Sequence, residues 1–220
     1  MVFTFNRPDD MKFLNPTLAT LLTLLALPCA AEAAVYTFSG GGLAITDGTV
    51  ANPYPGAIVV SGIGVGEVVV DVNITITNIT HSYIDDVAAV VGGPGGQYVT
   101  LFDGIGGESG VINQVWVFDD QAGLEIPVDT EPSSGSWRPG DQYFSSFIAP
   151  VPEVRGLTLG TFNGANPNGT WALYVGDFTE GDFGSIGGWT VTITTVTVPE
   201  PGTAVLAGAL AMGAMLRRRR

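Results

Sequence analysis

The sequence predicts an all-β protein: a jelly-roll-like antiparallel β-sandwich, flanked by a short apolar N-terminal helix and a C-terminal transmembrane helix. Three observations carry this. Apolar residues alternate with polar ones at a period of two through the body of the chain, as in half-buried strands. Clusters of Gly, Pro, Asn and Asp divide these runs into short segments. A sustained apolar run without acidic residues occurs only near the two ends, between residues 18 and 27 and between residues 202 and 216.

The period-two signal is clearest in "VVVDVNITITNIT". There Val68, Val70, Val72, Ile74 and Ile76 share one face, and Asp71, Asn73, Thr75 and Thr77 share the other. In "WTVTITTV", Trp189, Val191 and Ile193 alternate with threonines. Further short strands are expected at Val35–Phe38, Ala57–Val60, Val87–Val91, Tyr98–Phe102, Val115–Phe118 and Trp171–Val175. The punctuating loops read "VGGPGGQ", "DGIGGESG", "NGANPNGT" and "FTEGDFGSIGG". About eight or nine strands in one domain are expected. Trp171 and Trp189 are the expected aromatic anchors of a sheet-on-sheet core.

Charge narrows the function. The net charge of the 220 residues is −13, and residues 34–201 hold 18 Asp plus Glu against two cations, Arg138 and Arg155. Such a field repels nucleic acid and anionic membranes, so no nucleic-acid partner is expected. The only cysteine, Cys29, lies in the N-terminal apolar segment. A disulfide framework, a thiolate metal site and a cysteine nucleophile are thereby absent from the body.

The N-terminal segment reads "MKFLNPTLATLLTLLALPCAAEAAVYTF" from Met11. A cation at Lys12, a short apolar stretch and the small residues Ala31 and Ala33 form a secretory signal, with cleavage expected before Ala34. The signal peptide is therefore expected over 1–33, with Met11 as the expected true start, and the sandwich over 34–197. Proline directly before Cys29 argues against a lipoprotein signal.

The last residues, 198–220, read "VPEPGTAVLAGALAMGAMLRRRR". As a helix, the uncharged run 202–216 spans roughly 22 Å, short of a bilayer core unless Arg217, Arg218, Arg219 and Arg220 snorkel. Those arginines are expected to stay cytoplasmic. The order Val198, Pro199, Glu200, Pro201, then an apolar helix, then the arginine cluster resembles the PEP-CTERM sorting signal of Gram-negative bacteria. The resemblance implies export through the inner membrane, a transient anchor there, processing by signal peptidase and an exosortase, and delivery to the cell surface or extracellular matrix. Exopolysaccharide or another surface protein is then the expected partner.

The body carries a second resemblance, over 68–196. "ITNITHSYIDDVAAVVGGPGGQYVTLFDGIGG" and "FNGANPNGTWALYVGDFTEGDFGSIGGWTVTI" resemble the P domain (P/Homo B) that follows the catalytic domain in kexin- and furin-like convertases. The first half matches through His81, Tyr83, Asp86 and Val87, the turn Gly93-Pro94-Gly95-Gly96, then Val99, Leu101 and Phe102. The second half matches through Phe162, Gly164, Gly169, Trp171, Leu173, Val175, Asp177, Gly184, Ile186 and Trp189. Around "APVPEVRGLTL" the chain carries an apparent insertion. The resemblance implies a non-catalytic exported module. The alternatives are an accessory domain that docks on or stabilises a subtilisin-like protease in trans, and a calcium-dependent glycan binder.

No catalytic residue is assigned. His81 is the only histidine, and no nucleophile motif accompanies it. Calcium is the expected cofactor, since loop carboxylates suit its six to eight oxygen ligands. The resemblance places Asp86, Asp119, Asp120 and Asp177 as candidate ligands, and the local sequence adds Asp103. Asn73, Asn78 and Asn168 stand in Asn-x-Thr patterns that Thr-rich strands and an Asn-Gly turn explain without modification. Tyr54, Trp137 and Tyr143 are candidate exposed aromatics able to stack on sugar rings.

Overall fold

The computed structural model describes residues 32–140, 151–152 and 155–198. The chain divides into residues 1–31 and a second unit, Glu32–Arg220, that holds the sandwich. The signal segment with Ala31, the Pro-Glu-Pro motif from Pro199 onward, the expected helix 202–216 and Tyr143 lie outside the described residues.

Alternating sequence becomes two packed sheets. Along the chain the strands are β1 (Ala33–Gly40), β2 (Leu43–Ile45), β3 (Gly56–Val60), β4 (Glu67–His81), β5 (Val87–Gly92), β6 (Tyr98–Asp103), β7 (Val111–Phe118), β8 (Gly135–Trp137), β9 (Gly169–Asp177), β10 (Gly184–Ile186) and β11 (Gly188–Thr197). Seven strands form one sheet along β1-β11-β4-β10-β2, with β7 joined to β4 and β8 to β7; four form the other, in the order β3-β9-β5-β6. Among the described residues, helix is limited to two short 3-10 turns, Ile84–Asp86 and Leu159–Phe162. All eight expected strands are present, extended by a few residues. The short β2, β8 and β10 were not expected, because three residues carry too little periodicity to be read.

The expected purely antiparallel sheet needs one correction. β8 runs parallel to β7, pairing Trp116 with Gly135 and Phe118 with Trp137. The loop after β7 is long enough to bring the chain back in the same direction, which a tight hairpin forbids.

β4 is the backbone of the larger sheet. It pairs with β11 from Thr77↔Gly188 to Glu67↔Thr197, with one bulge between Thr194 and Thr195. The inward parity of β4 places Val72, Ile74 and Ile76 in the core, all at most 1% exposed. β9 does the same from the other sheet, directing Trp171, Leu173, Val175 and Asp177 inward. The fourth inward residue of that run is a carboxylate, and it defines the site described below.

The outer face of the smaller sheet departs from a simple sandwich. Every residue of β5, Val87 to Gly92, is buried. On the outer side, Ala88, Val90, Ala172 and Tyr174 pack with Val151, while Tyr54 and Tyr98 flank them. Val151 belongs to the insertion, and the insertion is stitched to β6: Thr100 N donates to Gly156 O at 3.0 Å and Gly156 N to Tyr98 O at 2.8 Å. Arg155 Nε adds a bond to Thr100 Oγ1 at 3.1 Å. The run of consecutive apolar residues in β5 thus reflects cover on both faces.

The first and last described strands run close to the ends of the described residues. β1 begins at Ala33 and pairs it with Val196, so cleavage before Ala34 leaves the rest of the strand in register. At the other end, Val198 N donates to Gly66 O at 2.9 Å, one residue before Pro199.

Candidate functional site

The closing residue of β4 and the closing residue of β9 meet where the two sheets come together. His81 Nε2 lies 3.3 Å from Asp177 Oδ2, and both side chains are fully buried. The other ring nitrogen, Nδ1, sits 2.9 Å from Tyr83 O and 3.3 Å from Tyr83 N. Asp177 Oδ1 accepts from Thr179 N at 3.1 Å, forming the turn after β9. The pair is closed from above by β10. A Cβ on Gly184 would stand 2.1 Å from Thr80 O and 2.5 Å from the His81 ring, so only glycine permits this approach.

Burial pushes the Asp177 carboxyl above the usual carboxylate range, and the nearby Asp86 adds to this. The Thr179 amide and His81 pull in the opposite direction without reversing it. With its ring enclosed, Nδ1 bonded to Tyr83 and Nε2 buried beside Asp177 without a hydrogen bond of its own, His81 has no open approach for a substrate hydroxyl or scissile carbonyl. The arrangement lacks the open nucleophile–base geometry of acyl transfer.

The five candidate calcium ligands separate into two regions. Asp86, Asp103 and Asp177 gather at one end of the smaller sheet, where Val87 pairs with Asp177 and Ala88 with Asp103. Asp103 is buried and, with Glu125 and Asp129, borders a hollow of about 360 Å³. Asp119 and Asp120 stand at the far end of β7, close to Asp71 of β4. Asp71 and His81 are ten residues apart on one strand, so the two regions lie on the order of 30 Å from each other. Among the described residues, no group of three or more His, Cys, Asp or Glu is disposed to hold a metal ion.

Local bonding explains the placement of the second region. Asp120 accepts Leu159 N at 2.9 Å and Gly160 N at 2.7 Å, capping the 3-10 turn that leads to Phe162. Asp119 Oδ1 accepts Gln121 N at 2.7 Å. With its amide nitrogen turned toward the carboxylates, Gln121 also reaches Asp71 Oδ1 at 3.1 Å. Burial first, then the charges of Asp119 and Asp120, push the Asp71 carboxyl upward. Sequence reading placed Asp71 only on a polar strand face. The parity of β9 was the available signal for Asp177, since a carboxylate on an inward position needs a buried partner and the chain has one histidine.

No protein-family model and no curated protein matches the chain. Among solved structures it is similar to the serine protease of Aeromonas sobria. For a structure described as that protease and the chaperone ORF2 in complex, identity is 13% and the TM-score 0.39, over 82% of this chain and 30% of the other. For the structure of the protease alone, the values are 12% and 0.37, over 81% and 29%. The chain thus spans less than a third of the chains it matches.

Proposed function

We propose that this chain is an exported, non-catalytic accessory module that works by packing against another protein, a subtilisin-like serine protease in trans being the partner class. The observation that carries the reading is the enclosed His81–Asp177 pair. It joins the first and second halves of the P-domain-like pattern through two of the pattern's own residues, and the burial of the sole histidine supports a non-catalytic role. The P-domain resemblance supports the partner class, because such domains accompany subtilisin-like catalytic domains. The signal segment and the PEP-CTERM-like tail support export through a Gram-negative inner membrane, exosortase processing and a final place at the cell surface or in the matrix.

Capture of secreted proteins on the mature chain tests the partner. Enrichment of a subtilisin-like protease, with a longer thermal half-life when the chain is bound, supports the proposal. Hydrolysis of casein by the purified chain, abolished by His81→Ala, refutes it. Intact-mass measurement of the mature surface protein tests both processing steps. Calcium belongs to the proposal as a stabiliser that offsets carboxylate repulsion. A melting temperature unchanged between chelator and millimolar calcium removes it.

A further inference from the structure

On the outer face of the smaller sheet, beside the inserted segment, lies a groove of about 500 Å³. Tyr98, Tyr174 and Thr170 line it together with the glycine-rich turn around Pro94. Among the described residues, none that lines it carries a charge, in a body whose sequence is strongly acidic. We propose that this groove is a binding site for a neutral saccharide, with Tyr98 as the ring on which a sugar stacks.

The walls are held in place by missing side chains. A Cβ on Gly92 would stand 2.9 Å from Tyr98 Cε1, so the Tyr98 ring lies directly over that glycine. A Cβ on Gly169 would stand 2.6 Å from Pro94 Cβ, so the turn leans on β9 there. Gly169 also has φ +132°, a conformation glycine alone adopts readily. Tyr174, 5% exposed, lies beside Tyr98 with ring centroids 6.0 Å apart and planes tilted by 47°, and is itself met edge-on by Tyr54 at 5.3 Å. A ring seated this way loses little freedom on binding.

The chemistry of the lining selects the ligand. The absence of charge disfavours phosphates, carboxylates and cations. Aromatic faces beside hydroxyls and glycine backbone match a pyranose, whose C–H face is apolar and whose rim is hydroxylated. Strand addition by a peptide is closed off, because β9 is already paired on both sides, with β3 and β5. Burial and the neighbouring Tyr98 push the Tyr174 phenol up to about 12, so it remains protonated at ordinary pH.

The test is titration of the mature chain with hexasaccharides of β-1,3-glucose, β-1,4-glucose, mannose and xylose, and with decaproline, followed by two-dimensional NMR. At least one hexasaccharide is expected to shift the Gly92–Tyr98 amides. Tyr98→Ala should weaken that binding about tenfold or more, while Tyr98→Phe, which keeps the ring, stays within about threefold. Binding should also be indifferent to salt and to chelator. The proposal is overturned if no hexasaccharide binds at about 10 mM, if decaproline alone binds, or if Tyr98→Ala binds as tightly as the parent.

Discussion

His81 on β4 and Asp177 on β9 face each other at 3.3 Å across the junction of the two sheets, with neither side chain reached by solvent. Removing one partner leaves the other buried and unmatched, which costs about 3 kcal/mol or more. For a domain of this size that corresponds to a fall of roughly 6–12 °C in melting temperature. Asp177→Ala and His81→Ala are each expected to show it in thermal denaturation, and the double variant to lose less than the sum of the two. Additive losses would mean that the two side chains do not interact.

The same pair sets a pH dependence. The Asp177 pKa is raised in the folded state, so the folded chain holds its proton more tightly than the unfolded chain. The resulting stability is fully present below the unfolded carboxylate pKa and is lost as pH rises through the folded value. Asp177→Asn mimics the protonated form. The melting temperature of the parent minus that of Asp177→Asn is therefore expected to decrease as pH is raised from the acid side toward neutrality. A difference that grows in favour of the parent contradicts the sign.

Asp71 carries a raised pKa for a related reason, with Asp119 and Asp120 adding repulsion to burial. Asp71→Asn is expected to stabilise the chain at neutral pH and to have less effect in acid. Because the group is half-buried, added salt should shrink the gain. Denaturant melts at low and high ionic strength measure this directly.

Asp120 has the opposite role, holding the amides of Leu159 and Gly160. Asp120→Ala should cost about 1 kcal/mol, as for loss of a helix cap, or roughly 2–4 °C. Hydrogen exchange should quicken at residues 159–163 and remain unchanged in β4. Uniform quickening across both would show that the carboxylate does more than cap this turn.

Trp171 packs on Phe162 with ring centroids 4.8 Å apart and donates from Nε1 to Pro167 O at 3.0 Å. Trp171→Ala is expected to cost about 3–5 kcal/mol. Trp171→Phe retains a ring and should cost less than half of that, the remainder reflecting lost volume and the unpaired carbonyl. Chemical denaturation of the two variants separates packing from hydrogen bonding.

The sequence alone determined the class of the fold and most of its strands. Side-chain alternation is a local property, legible in Val72–Ile76 or in Trp189–Ile193 without knowledge of any neighbour; at Val68 and Val70 it misleads, because the bulge opposite Thr194 and Thr195 turns Val69 inward and leaves Val70 exposed. It also determined that the body is acidic and lacks cysteine, and it carried both resemblances. Only the tertiary structure decided which residues meet. That His81 faces Asp177, that Asp86 and Asp177 stand far from Asp119 and Asp120, and that Val151 covers the outer face of β5 all depend on sheet order and on loops that return over long separations. The physical reason is that a strand's pattern states which of its faces is buried, whereas the identity of what buries it is set by pairing between segments far apart along the chain, where no local preference acts.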